Sequence, residues 1–134
     1  KLRKPKPQAV ENKVISDTIT FETKDQHFDI VVTLKQGTAK KAILKFGANT
    51  TTYDFAAQKL DEMPLAMKDG KVTIRVLVDR PIVELIGGGG ACFKTMPRRD
   101  MGKPLGKISL TADGGAMTVE SFVAYEMKST WKKK

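Results

Sequence analysis

Asp69-Gly70-Lys71-Val72-Thr73-Ile74-Arg75-Val76-Leu77-Val78-Asp79 is the stretch whose reading decides the fold class. Asp-Gly is a strong turn signal, and beyond it Val72, Ile74, Val76 and Val78 alternate with Thr73, Arg75, Leu77 and Asp79. A two-residue period sends the first set to one face of a strand and the second set to the other. The first face is wholly apolar and belongs in a core, while the second is mixed. Pro81 has no N–H to give to a ladder and marks a bulge or a break, with Ile82 to Ile86 read as continuing the strand past it. Gly87-Gly88-Gly89-Gly90 then turns the chain, and Ala91 to Met96 returns as the partner strand.

The same grammar extends in both directions. Val14 to Phe21, Phe28 to Leu34, Ala42 to Phe46, Thr50 to Phe55, Leu105 to Thr111 and Met117 to Met127 are short apolar runs divided by turn residues such as Gln36-Gly37 and Asp113-Gly114-Gly115. Runs at intervals of about 8 to 12 residues are the all-β signature, and no amphipathic helix of even about 10 residues competes with them. The expectation is an all-β, two-sheet antiparallel β-sandwich of jelly-roll or concanavalin-like type, with about nine or ten strands.

At 134 residues and 14.8 kDa the chain is one domain, able to bury roughly two-thirds of its unfolded surface, and it has no room for a second catalytic domain. No apolar run approaches the roughly 20 residues of a membrane span, and no signal-peptide core is present. Beginning at Lys1 rather than Met, it reads as a fragment or a processed product. The formal charge of +9 raises nucleic-acid binding, since basic domains gain affinity by neutralising phosphates. Position argues against it. Residues 1–13 hold five bases and one acid, residues 128–134 hold four bases and no acid, and the rest is nearly balanced at 15 bases to 14 acids. The opening residues, with Pro5 and Pro7 among lysines, favour an extended linker.

Few residues suggest chemistry. The four glycines lack the following Lys-Ser/Thr and helix of a phosphate cradle, so the hairpin-turn reading is preferred. Cys92 is the only cysteine and His27 the only histidine, which excludes an intrachain disulfide and disfavours a catalytic triad or a metal centre. Cys92 is expected to be a buried, inert thiol, and His27 a solvated loop residue. Asp79 and Glu84 flank Arg80 and Pro81. An intervening arginine favours ionised carboxylates, suited to a structural ion pair or to hydrogen bonds with sugar hydroxyls rather than to proton donation. Their relative facing is not readable across Pro81. Lys94 to Asp100 is the only internal basic cluster and is expected to be a solvated loop, because most of the nine aromatics fall at core positions and leave no base-stacking platform.

Three ordered motifs then carry a resemblance. The run Gly70-Lys71-Val72-Thr73-Ile74-Arg75-Val76-Leu77-Val78-Asp79-Arg80-Pro81-Ile82-Val83-Glu84-Leu85-Ile86, the stretch Gly106-Lys107-Ile108-Ser109-Leu110-Thr111-Ala112-Asp113-Gly114-Gly115 and the close Tyr125-Glu126-Met127-Lys128-Ser129-Thr130-Trp131 resemble the C-terminal β-sandwich of glycoside hydrolase family 32, the levanases, inulinases, invertases and related fructosidases. Gly87 to Gly90 departs from that family's polar turn, and Pro81 from its common serine. The family's propeller motifs, of the W-M-N-D-P-N-G, R-D-P and E-C types, do not occur here.

The resemblance implies residues 1–13 as a basic linker, 14–131 as a β-sandwich accessory domain and 132–134 as a basic tail. It implies a non-catalytic module without cofactor or metal, belonging to a secreted, extracellular or periplasmic, fructan- or sucrose-cleaving enzyme. The implied partner is the catalytic β-propeller of the same polypeptide, with fructan or fructose as a further ligand and Asp79, Arg80 and Glu84 as its polar contacts; no nucleic acid and no membrane are implied. A free-standing carbohydrate-binding module and a basic nucleic-acid-binding domain are the alternatives.

Overall fold

The structure is a computed structural model that describes residues 8–23, 27–79, 82–97 and 106–126. Among these there is no helix, and so none able to cross a membrane. Twelve strands run in chain order: β1 (Gln8–Ile15), β2 (Thr18–Thr23), β3 (Phe28–Lys35), β4 (Lys41–Phe46), β5 (Asn49–Asp54), β6 (Lys59–Leu60), β7 (Met63–Pro64), β8 (Lys71–Val78), β9 (Ile82–Gly87), β10 (Cys92–Pro97), β11 (Gly106–Asp113) and β12 (Met117–Glu126). All pairings are antiparallel and form two six-stranded sheets, ordered β1-β12-β3-β8-β9-β10 and β2-β11-β4-β5-β6-β7. The all-β sandwich expected from the alternation is therefore observed, with two more strands than the upper count because β6 and β7 are only two residues each.

The alternation in β8 holds as read. Val72, Ile74, Val76 and Val78 are buried, and they meet Leu44, Phe46, Ile108 and Leu110 of the second sheet in a single apolar core. Phe21 and Phe122 stack across it with ring centroids 4.5 Å apart, tying β2 to β12. Burying a side chain of this size stabilises by about 1.5–3 kcal/mol, so the facing apolar sets of the two sheets supply the main favourable term.

Three boundaries differ from expectation. Residues 8–13, read as linker, are strand: Gln8 to Ile15 pair with Ala124 to Met117. Most of β1 is exposed, so its ladder bonds, not an apolar stripe, hold it, and alternation carries no trace of it. Val14 to Phe21 is not one strand but two, since the chain turns at Ser16-Asp17 and passes between sheets. Ile82 to Ile86 does not continue β8; it returns antiparallel to it, with Val78 opposite Val83 and the Asp79 amide donating to the Ile82 carbonyl over 2.9 Å. Arg80 and Pro81 themselves lie outside the described residues, as do residues 1–7 and the expected ends of the domain and tail at 127–134.

The glycine turn behaves as expected. Gly88, Gly89 and Gly90 have φ of +61°, +71° and +115°, backbone that side chains with a Cβ resist, and they join β9 to β10. Leu65, from the segment after β7, is buried against Gly87 and Gly88.

Candidate functional site

The outer faces of the two sheets differ in kind. On the second sheet the outward positions are mostly polar, with Thr20, Ser109, Lys45 and Thr50 making one cross-strand row and Ile43 an apolar exception. On the first sheet the outward positions of β12, β3, β8 and β9 are half-buried and more apolar. Asp79 and Glu84, two of the three residues that suggested sugar contact, lie at the β8–β9 end of the first sheet's outer face.

The antiparallel register answers the facing of Asp79 and Glu84. Glu84 lies opposite Leu77, and Asp79 is two residues beyond Leu77, so both carboxylates emerge on the outer face on a diagonal, each next to Leu77. Asp79 Oδ1 is 3.7 Å from His27 Nε2, with the aspartate side chain 43% exposed and the histidine only 13% exposed. His27 is therefore not the solvated loop residue expected; it precedes β3, whose Phe28 pairs with Val78, and this register carries it beside Asp79. Arg80 lies outside the described residues, so the structure brings together two of the three proposed contacts.

An ion pair that sequence reasoning missed lies next to them. Asp29, with its side chain 2% exposed, accepts from Arg75 Nε at 2.8 Å and Nη2 at 2.7 Å, while the Arg75 side chain is 43% exposed. The two-point hydrogen bond to Asp29 raises the Arg75 guanidinium above its ordinary value, against a smaller opposing effect of desolvation. Such a planar, bidentate pair is the geometry arginine is suited to. The sequence signal was an aspartate inside the apolar run Phe28-Asp29-Ile30-Val31: a carboxylate buried there needs a cation, and Arg75 of the neighbouring strand supplies it.

The basic cluster is also redrawn. Lys94 lies in β10, not in a solvated loop, and its Nζ is 3.1 Å from Asp61 and 3.2 Å from Glu62. Desolvation lowers the Lys94 ammonium, but the hydrogen bonds and charges of Asp61 and Glu62 outweigh it and leave the group raised. The pair clips the β10 edge of the first sheet to the chain after β6 of the second. Arg98, Arg99 and Asp100 lie outside the described residues. Cys92 is half-buried rather than buried, and burial raises its thiol against a weaker lowering by the Gly87 backbone.

The arrangement can hold hydroxyl-bearing or apolar surface against carboxylates and an arginine. Asp79 and Glu84 lie on one sheet surface rather than across a cleft, and this gives no opposed acid and nucleophile of the glycosidase kind.

A family model described as "Glycosyl hydrolases family 32 C terminal" matches residues 1–126. Among solved structures, exo-inulinase from Aspergillus awamori superposes with a TM-score of 0.75 at 21% identity, covering 94% of this chain and 29% of that one. Fructofuranosidase from Schwanniomyces occidentalis, solved with fructose, gives 0.75 at 14% identity, covering 92% and 34%. A galectin, LEC-6 of Caenorhabditis elegans, gives 0.62 at 11%, covering 87% and 94%. At these identities the likeness establishes the sandwich fold alone. No curated protein sequence matches the chain. The chain spans about a third of the length of the fructosidases it resembles. With its three motifs in order and the family model matched from residue 1 to residue 126, the chain belongs to the C-terminal domain family of glycosyl hydrolase family 32.

Proposed function

We propose that this domain is the non-catalytic accessory module of a secreted fructan- or sucrose-cleaving hydrolase, that it packs against and stabilises the catalytic propeller of the same polypeptide, and that Asp79, Arg80 and Glu84 contact fructosyl units. The family match over residues 1–126 carries the reading. It is supported by the share of exo-inulinase and fructofuranosidase, 29% and 34%, that the sandwich accounts for. In such a chain the bond-breaking groups belong to the remaining two-thirds. The sugar layer is supported by the common facing of Asp79 and Glu84 around Leu77, because a furanose presents both hydroxyls for carboxylates and an apolar edge for a leucine.

Isothermal titration of the domain with fructose, inulin oligosaccharides and levan tests the sugar layer. Heat at millimolar ligand that is lost in Asp79→Ala and Glu84→Ala is expected; no heat with any of the three removes that layer and leaves the structural role. Release of reducing sugar from sucrose or levan by this chain alone would overturn the non-catalytic reading.

A further inference from the structure

β9 ends at Gly87, opposite Ile74, whereas β8 begins at Lys71. The start of β8 therefore runs on past the end of β9, and beside it lies a pocket of about 620 Å³, within the roughly 300–1,000 Å³ range of small-molecule sites. The segment after β7 walls it on one side, and Gly88-Gly89 of the glycine turn on the other.

Both walls are held in place. The Leu65 amide donates to the Gln58 carbonyl at 2.9 Å, the Leu65 carbonyl accepts from the Tyr53 hydroxyl at 2.6 Å, and the Met67 amide donates to Gln58 Oε1 at 2.8 Å. Lys68 exchanges two backbone bonds with Lys71, of 2.8 and 3.0 Å. Across the pocket the Gly88 amide donates to the Thr73 carbonyl at 2.8 Å, and the Gly90 amide to the Gly87 carbonyl at 3.1 Å. A Cβ at Gly89 would meet nothing within 4 Å, so this wall leaves the mouth open. The cavity is pre-formed, and a ligand entering it has little backbone to order.

The lining divides by chemistry. Pro64, Leu65, Ala66 and Ala91 offer apolar surface. The Thr33 and Thr73 hydroxyls stand 3.4 Å apart, and each keeps donor and acceptor capacity beyond that long contact. Lys71 Nζ is 3.2 Å from Glu120, while Lys68 and Asp69, exposed at the rim, make no ion pair among the described residues. Two ammonium groups thus face two carboxylates. An anion drawn by Lys68 would also meet Asp69 and Glu120, and a cation would meet both lysines. A neutral, hydroxyl-rich ligand meets no repulsion: it can accept from Lys68, donate to Asp69 and do either with the threonines, with its C–H face on Pro64 and Ala66.

We infer that this pocket is a saccharide site that takes one neutral sugar unit, separate from the Asp79–Glu84 corner. Thr73 and Asp79 are six residues apart on one strand and its extension, about 20 Å, too far for one unit to touch both. The inference does not depend on Asp79, Arg80 and Glu84, and the two sites can fail independently.

The test is amide chemical-shift mapping of the 134-residue chain titrated with fructose, glucose and sucrose at millimolar concentration, and separately with inorganic phosphate. Saturable shifts at Thr33, Thr73, Gly88, Gly89 and Ala91 with at least one sugar, and none there with phosphate, are expected. Lys68→Met and Asp69→Asn, both at exposed rim positions, should each weaken that binding by about five-fold. Ala66→Gln, which puts a longer side chain at the mouth, should abolish it, and unchanged shifts elsewhere in the spectrum of each variant show that the fold is kept. Shifts confined to the surroundings of Leu77 and Glu84 would overturn the pocket and leave the corner as the sugar contact; shifts confined to the pocket would support this inference and remove the corner. Shifts at the pocket with phosphate but with no sugar, affinity unchanged in all three variants, or no shifts anywhere would each overturn the saccharide site.

Discussion

Replacing Arg75 by leucine isolates Asp29, the one buried charge among the described residues. Asp29 is almost fully buried and meets the guanidinium in two hydrogen bonds of 2.7 and 2.8 Å. Removing one partner of a wholly buried pair costs about 3–5 kcal/mol, because the other charge stays behind uncompensated, whereas an exposed pair contributes only about 0–1 kcal/mol. With Arg75 itself 43% exposed, water already screens half of the pair, and Arg75→Leu is expected to cost about 2–3 kcal/mol at pH 7. For a domain of this size that lowers Tm by roughly 6–12 °C. The loss has a pH signature. In the variant the buried Asp29 carboxyl has lost its cation, so its folded pKa rises above its unfolded value of about 3.9. The folded state then binds more protons than the unfolded state near pH 4 to 6, and stability falls as pH rises through that window. The deficit against the unaltered domain should therefore shrink on going from pH 7 to pH 4. Urea unfolding followed by tryptophan or far-ultraviolet signal at both pH values measures it. Adding Asp29→Asn to Arg75→Leu should recover part of the loss at pH 7 and abolish its pH dependence. A deficit below about 0.5 kcal/mol, or one that grows at pH 4, would show that Asp29 does not depend on Arg75 for its charge.

Tyr53 is wholly buried and donates from its hydroxyl to the Leu65 carbonyl at 2.6 Å; burial first, then the charges of Asp54 and Cys92, push its pKa up to about 12. Its contribution is complete below pH 10 and is lost as pH rises through 12, so at pH 11.5 the unaltered domain should have lost about 2 kcal/mol that Tyr53→Phe does not lose, as read by urea unfolding at pH 9 and 11.5. Lys94→Met removes the clip to Asp61 and Glu62 and should cost about 1 kcal/mol at pH 7 and low salt. Because the Lys94 pKa is raised, that difference should fade as pH rises beyond the ordinary lysine value, and an undiminished difference would contradict the ion-pair reading. A Cβ at Gly37 would stand 2.5 Å from the Ala116 carbonyl oxygen, so Gly37→Ala should lower Tm by several degrees through displacement of the Thr38 and Ala39 amide bonds to that oxygen; an unchanged melt would show that the two loops separate freely.

The sequence disclosed the sandwich because its central strands are half-buried: Val72 to Val78, Val83 and Leu85, and Ile108 to Ala112 put alternate residues into one core, and a two-residue period survives in the letters. It concealed β1 for the opposite reason. An edge strand held by backbone bonds to β12 needs no apolar stripe, so Gln8 to Lys13 look like the linker that precedes them. The Ile82 return and the facing of Asp79 and Glu84 depend on which way the chain goes at Pro81, and proline chemistry is the same at a bulge and at a turn. Lys94, Asp29 and Arg75 pair over separations of 33 and 46 residues, contacts that only sheet register brings together. His27 shows the same limit. Its neighbours Asp25 and Gln26 read as a polar loop, while sheet register sets it beside Asp79, a residue at another strand's end.

The proposed role of this sandwich is that of an accessory body that stabilises a catalytic one. Scanning calorimetry of the full-length polypeptide, with and without residues 8–126, tests it most directly. Coincident unfolding of the two bodies in the intact chain, and a catalytic-domain transition that moves down by several degrees when the sandwich is removed, is the expected result. Two independent transitions, with the catalytic one at the same temperature whether or not the sandwich is present, would contradict the claim.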